Sequence, residues 1–181
     1  MIDDYDYIKI IDFGEAKIID KYEEDESALK ESIALSDDTS FFGRLKKERT
    51  IREKSGTFVG TPFYAAPEML EQNLSGFYTD LWALGTIIYE MATGVKMFKA
   101  RNNKEIFDKI LKHEIYYPDD MNKDCINLIE RLCVPEPLQR LGYKNFPALK
   151  SHPFFKDVNW DQIRDQNCPL PDNLPITNQK P

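Results

Sequence analysis

Residues 78–92 constrain the fold more than any other part of the chain. Leu81, Trp82, Ala83, Leu84, Ile87, Ile88, Met91 and Ala92 place apolar groups nearly all round a helical axis, and a helix apolar on every face belongs at the centre of a packed domain. It is not a membrane span, because the run 81–92 falls short of the roughly 20 residues a bilayer needs and carries Glu90. Residues 104–113 are amphipathic, with Ile106, Phe107, Ile110 and Leu111 on one face. Residues 122–133 predict another helix burying Cys125, Leu128, Ile129, Leu132 and Cys133, stopped by Pro135 and Pro137. At the start, Tyr7, Ile8, Ile10 and Ile11 read as a strand; Gly14 then permits a sharp turn into a short second strand over 16–19. The expected fold is mainly α with one short β-strand pair at its start.

Residues 20–56 lose this periodicity. Eight acids in 20–38 face Lys21 and Lys30, whereas Arg44, Lys46, Lys47, Arg49, Arg52 and Lys54 outnumber Glu48 and Glu53 in 44–54. So few apolar groups cannot offset the entropy of ordering the chain, and the segment reads as a mobile, solvated loop. The net charge of −7 argues against a nucleic-acid or membrane binder, which would show a basic face. Three cysteines without Cys-x-x-Cys spacing point to reduced thiols and a cytoplasmic or nuclear location. The acidic N-terminus is not a signal peptide, and no transmembrane segment is expected. His113 and His152 have no partners at metal-ligand spacing, and His113 reads as an exposed helical histidine. Beyond residue 160, Pro169, Pro171, Pro175 and Pro181 suggest an extended tail.

Three motifs carry chemistry. Asp12-Phe13-Gly14 follows a predicted strand; it suits a carboxylate that holds Mg²⁺ against nucleotide phosphates, or simply a strand-ending turn. Ala66-Pro67-Glu68 closes the block 57–68, with Pro67 and Glu68 suited to a helix start. Asp80-Leu81-Trp82 opens the buried helix, where Asp80 either meets backbone N–H donors at a functional site or serves as an ordinary cap.

In this order, and followed by Arg140-Leu141-Gly142, the motifs resemble the large, C-terminal lobe of a eukaryotic Ser/Thr protein kinase. The block 57–68 and the ending 149–155 with Trp160 look like the AGC group, and within it the phosphoinositide-dependent protein kinases. The resemblance implies ATP and Mg²⁺ as cofactors and protein Ser/Thr as substrate. It implies Asp12 as a Mg²⁺ ligand and Phe13 as part of a hydrophobic spine tethered by Asp80. Thr57 matches an activation-loop phosphosite, whose phosphate adds nearly two negative charges, and Lys17 a cation that pairs with it. Thr61 and Glu90 match substrate-binding positions, Glu90 for a substrate Arg or else an internally paired Glu. Glu68 and Arg140 match a buried pair fixing the end of the activation segment.

The chain contains no Gly-rich loop and no His-Arg-Asp, so no catalytic base is assigned in it. Phosphoryl transfer needs those parts together, and the expectation is an incomplete large lobe, a truncated fragment inactive by itself. Residues 1–160 are assigned to that lobe, with 15–56 as an activation segment bearing the charged insert and 161–181 as a Pro-rich tail. Partners are then protein substrates and a missing N-terminal segment or another kinase. The alternative is a non-catalytic kinase-like module that binds or regulates another kinase.

Overall fold

In the computed structural model, which describes residues 8–14, 16, 18–19, 26–27, 29–31 and 61–163, prolines and asparagines set most element boundaries. Helix α1 (Pro67–Glu71) begins on Pro67, whose fixed φ and missing N–H suit a first helical turn. Pro62, Pro137 and Pro153 open single 3₁₀ turns in the same way. Helix α2 (Phe77–Thr93) stops at Gly94, whose φ of 72° closes the last turn with an N–H to the Glu90 carbonyl at 2.8 Å. Helices α3 (Asn103–Leu111), α4 (Lys123–Leu132) and α5 (Phe146–Lys150) start on Asn102, Asn122 and Asn145. Each side chain accepts the N–H three residues on, at 3.0, 3.0 and 3.3 Å. Glu105 reciprocates by accepting from Asn102 Nδ2 and the Arg101 N–H.

The chain divides into two units, residues 1–17 with 157–181, and residues 18–156. The second holds the core, in which α2 packs on α4. Trp82 is fully buried and stacks on Phe98 at 6.1 Å, and the Cys133 thiol lies 3.7 Å from the Trp82 carbonyl. A Cβ on Gly85 would sit 2.5 Å from the Cys133 sulfur, so only glycine lets these helices approach so closely.

The three expected helices form within about two residues of their predicted ends, and the fold is mainly α. Four details differ. First, α2 is buried on three sides only: Asp80, Ile87 and Met91 face solvent, Met91 being 71% exposed, because no described residue covers that side. Second, the predicted strand pair is not seen among the described residues. Only Ile8 makes an isolated bridge, and with Ile8, Ile10 and Ile11 all exposed there is no buried face to hold a ladder.

Third, the charged segment is not uniformly irregular. Residues 26–27 and 29–31 are helical, Leu29 is fully buried, and Glu26 pairs with Lys144 and, at 3.4 Å, with Lys30. Composition averaged over the segment concealed one apolar anchor flanked by an i,i+4 ion pair. Fourth, His113 lies beyond α3 at φ 53°, half-buried, with Nε2 2.7 Å from the Cys133 carbonyl oxygen. Among the described residues, no helix is long and apolar enough to cross a membrane.

Candidate functional site

Glu68 and Arg140 are both 2% exposed, in a unit whose interior is otherwise almost wholly apolar. An ionised pair survives there only if its hydrogen-bonding capacity is met. Arg140 Nη1 donates to Glu68 Oε1 and Nη2 to Glu68 Oε2, both at 2.7 Å. Nη1 also donates to the Tyr78 carbonyl at 2.8 Å, Nε to Val134 at 2.9 Å and Nη2 to Pro135 at 3.4 Å. All five guanidinium N–H groups are thereby used. The guanidinium carbon lies 5.0 Å from the Trp82 ring centroid. Thr79 completes the cluster, donating to Glu68 Oε1 and accepting the Gly76 N–H, each at 3.1 Å.

The group ties four elements together: the start of α1, the first turn of α2, the segment after α4 and the loop at 140–142. That loop returns on itself because Gly142 adopts φ 98°, with Leu149 and Leu81 too close for a comfortable side chain. Asp80, in the first turn of α2, is not the cap; the cap position is Gly76, answered by the Thr79 hydroxyl. Although Asp80 is exposed, its carboxyl at the start of α2 loses enough hydration to stand above its ordinary value.

A second polar group lies at the other end of α2. Glu90 accepts the Tyr64 hydroxyl at 3.0 Å and the Lys96 ammonium at 2.6 Å on Oε1 and 2.8 Å on Oε2. Lys96 also donates to the Tyr64 hydroxyl and sits 4.7 Å from the Tyr64 ring centroid and 5.7 Å from that of Phe63. Lys96, with help from Tyr64, holds the Glu90 carboxyl below the usual range, and Glu90 in turn raises Lys96.

In the unit of residues 1–17 and 157–181, Asp12 and Phe13 are exposed, Phe13 by 69%. The unusual backbone is at Asp12, with φ 65°, and not at Gly14, where a Cβ would make only ordinary contact. Aspartate tolerates this conformation because its side chain can bond locally, here accepting the Gly14 N–H at 3.4 Å. Its carboxylate is a hard oxygen donor fit to be one ligand of Mg²⁺. Among the described residues no three His, Cys, Asp or Glu converge.

Thr61 is exposed at the head of the 3₁₀ turn at Pro62–Tyr64, its hydroxyl making no cap bond. Lys17 and Thr57 lie outside the described residues. Of the sequence-predicted residues, therefore, the structure brings Glu68 and Arg140 into contact. Sequence reasoning missed Thr79, Tyr64 and Lys96. Lys96 was findable as a cation just past a helix-ending glycine, within one turn's reach of Glu90.

A polar pair locked into a mainly α core, with this order of motifs, defines a class. Residues 1–155 match the protein kinase domain, and the chain belongs to that family. It is 36% identical to the 3-phosphoinositide-dependent protein kinase 1 of Arabidopsis thaliana over 90% of this chain and 30% of that protein. It is 33% identical to the probable serine/threonine protein kinase IREH1 of the same plant over 90% of this chain and 13% of that protein. The mouse 3-phosphoinositide-dependent protein kinase 1 is 34% identical over 77% of this chain and 26% of its own length. The resemblance to AGC-type Ser/Thr kinases, and within them to the phosphoinositide-dependent kinases, is thus shown. The chain spans between 13% and 27% of the first curated relatives it matches.

Proposed function

We propose that these residues serve a Ser/Thr protein kinase of the AGC type, which transfers the γ-phosphoryl group of ATP to protein Ser or Thr. The observation that carries this reading is the match of residues 1–155 to the protein kinase domain. Bound Mg²⁺ and ATP would supply charge neutralisation and the transferred phosphoryl group. Asp12 would then hold Mg²⁺, with Phe13 and Asp80 supporting it. Lys17 would pair with phosphorylated Thr57. Thr61 and Glu90 would meet the substrate, and the Glu68–Arg140 pair would fix the end of the activation segment. The free thiols of Cys125 and Cys133 suit a cytoplasmic or nuclear setting.

These 181 residues contain no His-Arg-Asp and no Gly-rich loop. The polypeptide alone is therefore proposed not to transfer phosphate, so the test uses the whole reading frame to which it belongs. Mg²⁺-dependent transfer to Ser/Thr peptides is expected from the whole protein, falling at least about a hundredfold in Asp12→Asn. The 181-residue chain should show none. Whole-protein activity indifferent to Asp12→Asn, or no activity at all, favours a non-catalytic kinase-like module. Transfer by the 181 residues alone overturns the incomplete-lobe reading.

A further inference from the structure

The Glu90 carboxylate already carries a cation of its own. Glu90 lies in the last turn of α2, and the left-handed Gly94 turns the chain back so that Lys96 returns to it. The Thr93 hydroxyl braces that turn, donating to the Tyr89 carbonyl at 2.8 Å and accepting the Val95 N–H at 3.3 Å. The Lys96 ammonium then lies within 2.8 Å of both Glu90 oxygens, against the Tyr64 hydroxyl and beside two aromatic rings. This is a lysine placed by backbone, acid, hydroxyl and ring faces together. It differs from a solvated surface lysine, which has no such set of partners.

The chemical consequence concerns selectivity. Glu90 accepts from Tyr64 on Oε2 and from Lys96 on both oxygens. An incoming guanidinium would have to evict Lys96, exchanging one ion pair for another and losing the ammonium–ring contacts. The net gain in charge pairing is then close to nothing.

We propose that Lys96 is a specificity-determining residue: it fills Glu90 in place of a substrate's basic side chain, so that this surface takes peptides with a neutral residue there. The inference rests on the proposed reading of Glu90 as a substrate-facing position.

The test is fluorescence-anisotropy binding of labelled Ser peptides to the whole protein that contains these residues. A single Arg, or its neutral isostere citrulline, is walked through the positions preceding the Ser. The wild type should bind each Arg and citrulline pair equally. Lys96→Met keeps the stem's length and apolar packing but frees Glu90, and should prefer Arg at one position by roughly fivefold, as a partly exposed ion pair allows. Lys96→Met with Glu90→Gln should lose that preference, and circular-dichroism melts check that all three proteins fold alike. An Arg preference in the wild type that Glu90→Gln removes overturns the role of Lys96 and leaves Glu90 as the substrate position. No preference in Lys96→Met, or no binding of either peptide to any variant, overturns both.

Discussion

At position 140 a lysine would present three N–H donors from a single nitrogen, whereas the surrounding acceptors lie in an arc that only a planar guanidinium reaches. Glu68 and the carbonyls of Tyr78, Val134 and Pro135 meet that arc at 2.7–3.4 Å. Arg140→Leu leaves the buried Glu68 carboxylate with only the Thr79 hydroxyl among the partners described, and should cost about 3–5 kcal/mol in urea unfolding. Arg140→Lys should recover only part of this. A loss within experimental error for Arg140→Leu would sink the account. His152 makes the pH-dependent counterpart. It is 2% exposed, its Nδ1 accepts the Phe154 N–H at 3.2 Å, and its Nε2 is 3.0 Å from Asn127 Oδ1. The ring is therefore neutral with its proton on Nε2, and a second proton would point at an N–H. Burial, then Arg131, lowers its pKa, while Asp124 opposes them. As pH falls below about 6.5, the unfolded chain takes up the proton first. Stability from this group is thus complete above that pH and lost as pH drops through the lowered native value. The urea midpoint should fall between pH 7 and pH 5, and His152→Gln should flatten that slope; an unaltered slope removes His152 from the explanation.

The helices show which parts of the fold were legible from sequence and which were not. Apolar periodicity located α2, α3 and α4, because a 3.6-residue repeat reports directly on which face is buried. It misjudged how α2 is covered. Periodicity records that a face is apolar but not whether another element meets it, and Ile87 and Met91 remain open to solvent. Short elements escaped for a related reason. The helical residues near Leu29 are too few to show a repeat, and Glu26 among them pairs with a residue far along the chain, Lys144. Asn145 capping α5 was readable in principle, since an Asn followed by Pro at the second helical position is a start signal. Gly85 illustrates the remaining limit. In sequence it is a mild helix weakener, whereas in the fold it is the contact point at which α2 meets Cys133. That contact also explains the chemistry of the thiol: burial pushes Cys133 up to about 12, leaving it a packing group without nucleophilic character.

Across the whole chain, the residues that carry the kinase pattern fall into different mechanical settings. Glu68, Thr79 and Arg140 belong to the unit that contains the core, where Tyr78, Trp82, Leu128, Ile129 and Leu132 are almost wholly buried. Asp12 and Phe13 belong to the other unit and are exposed. The motif order made both groups visible in the sequence, but order says nothing about which residues touch. The Glu68–Arg140 contact was implied by the family resemblance alone, and the part played by Thr79 had no signal beyond a hydroxyl near a helix start. This division makes a prediction about local stability. Amides open most rarely where buried apolar contacts are densest, and most readily where side chains are solvated. In hydrogen-exchange mass spectrometry, peptides covering 78–89 and 125–133 should be the last to exchange, and to the same extent, because α2 and α4 stabilise one another across Gly85. Peptides covering 8–14 should be among the first, since Ile8, Ile10 and Ile11 are exposed and only Ile8 makes a bridge. Arg140→Leu should speed exchange at 67–79, which the guanidinium ties to the core, more than at 103–111, where it makes no contact. Equal protection of 8–14 and 78–89 would contradict this division, and acceleration in the variant no greater at 67–79 than at 103–111 would leave the pair no hold on 67–79 beyond its share of global stability. The expected pattern makes Glu68–Arg140 a clamp on the segment that leads into α2, over and above its share in the stability of the whole unit.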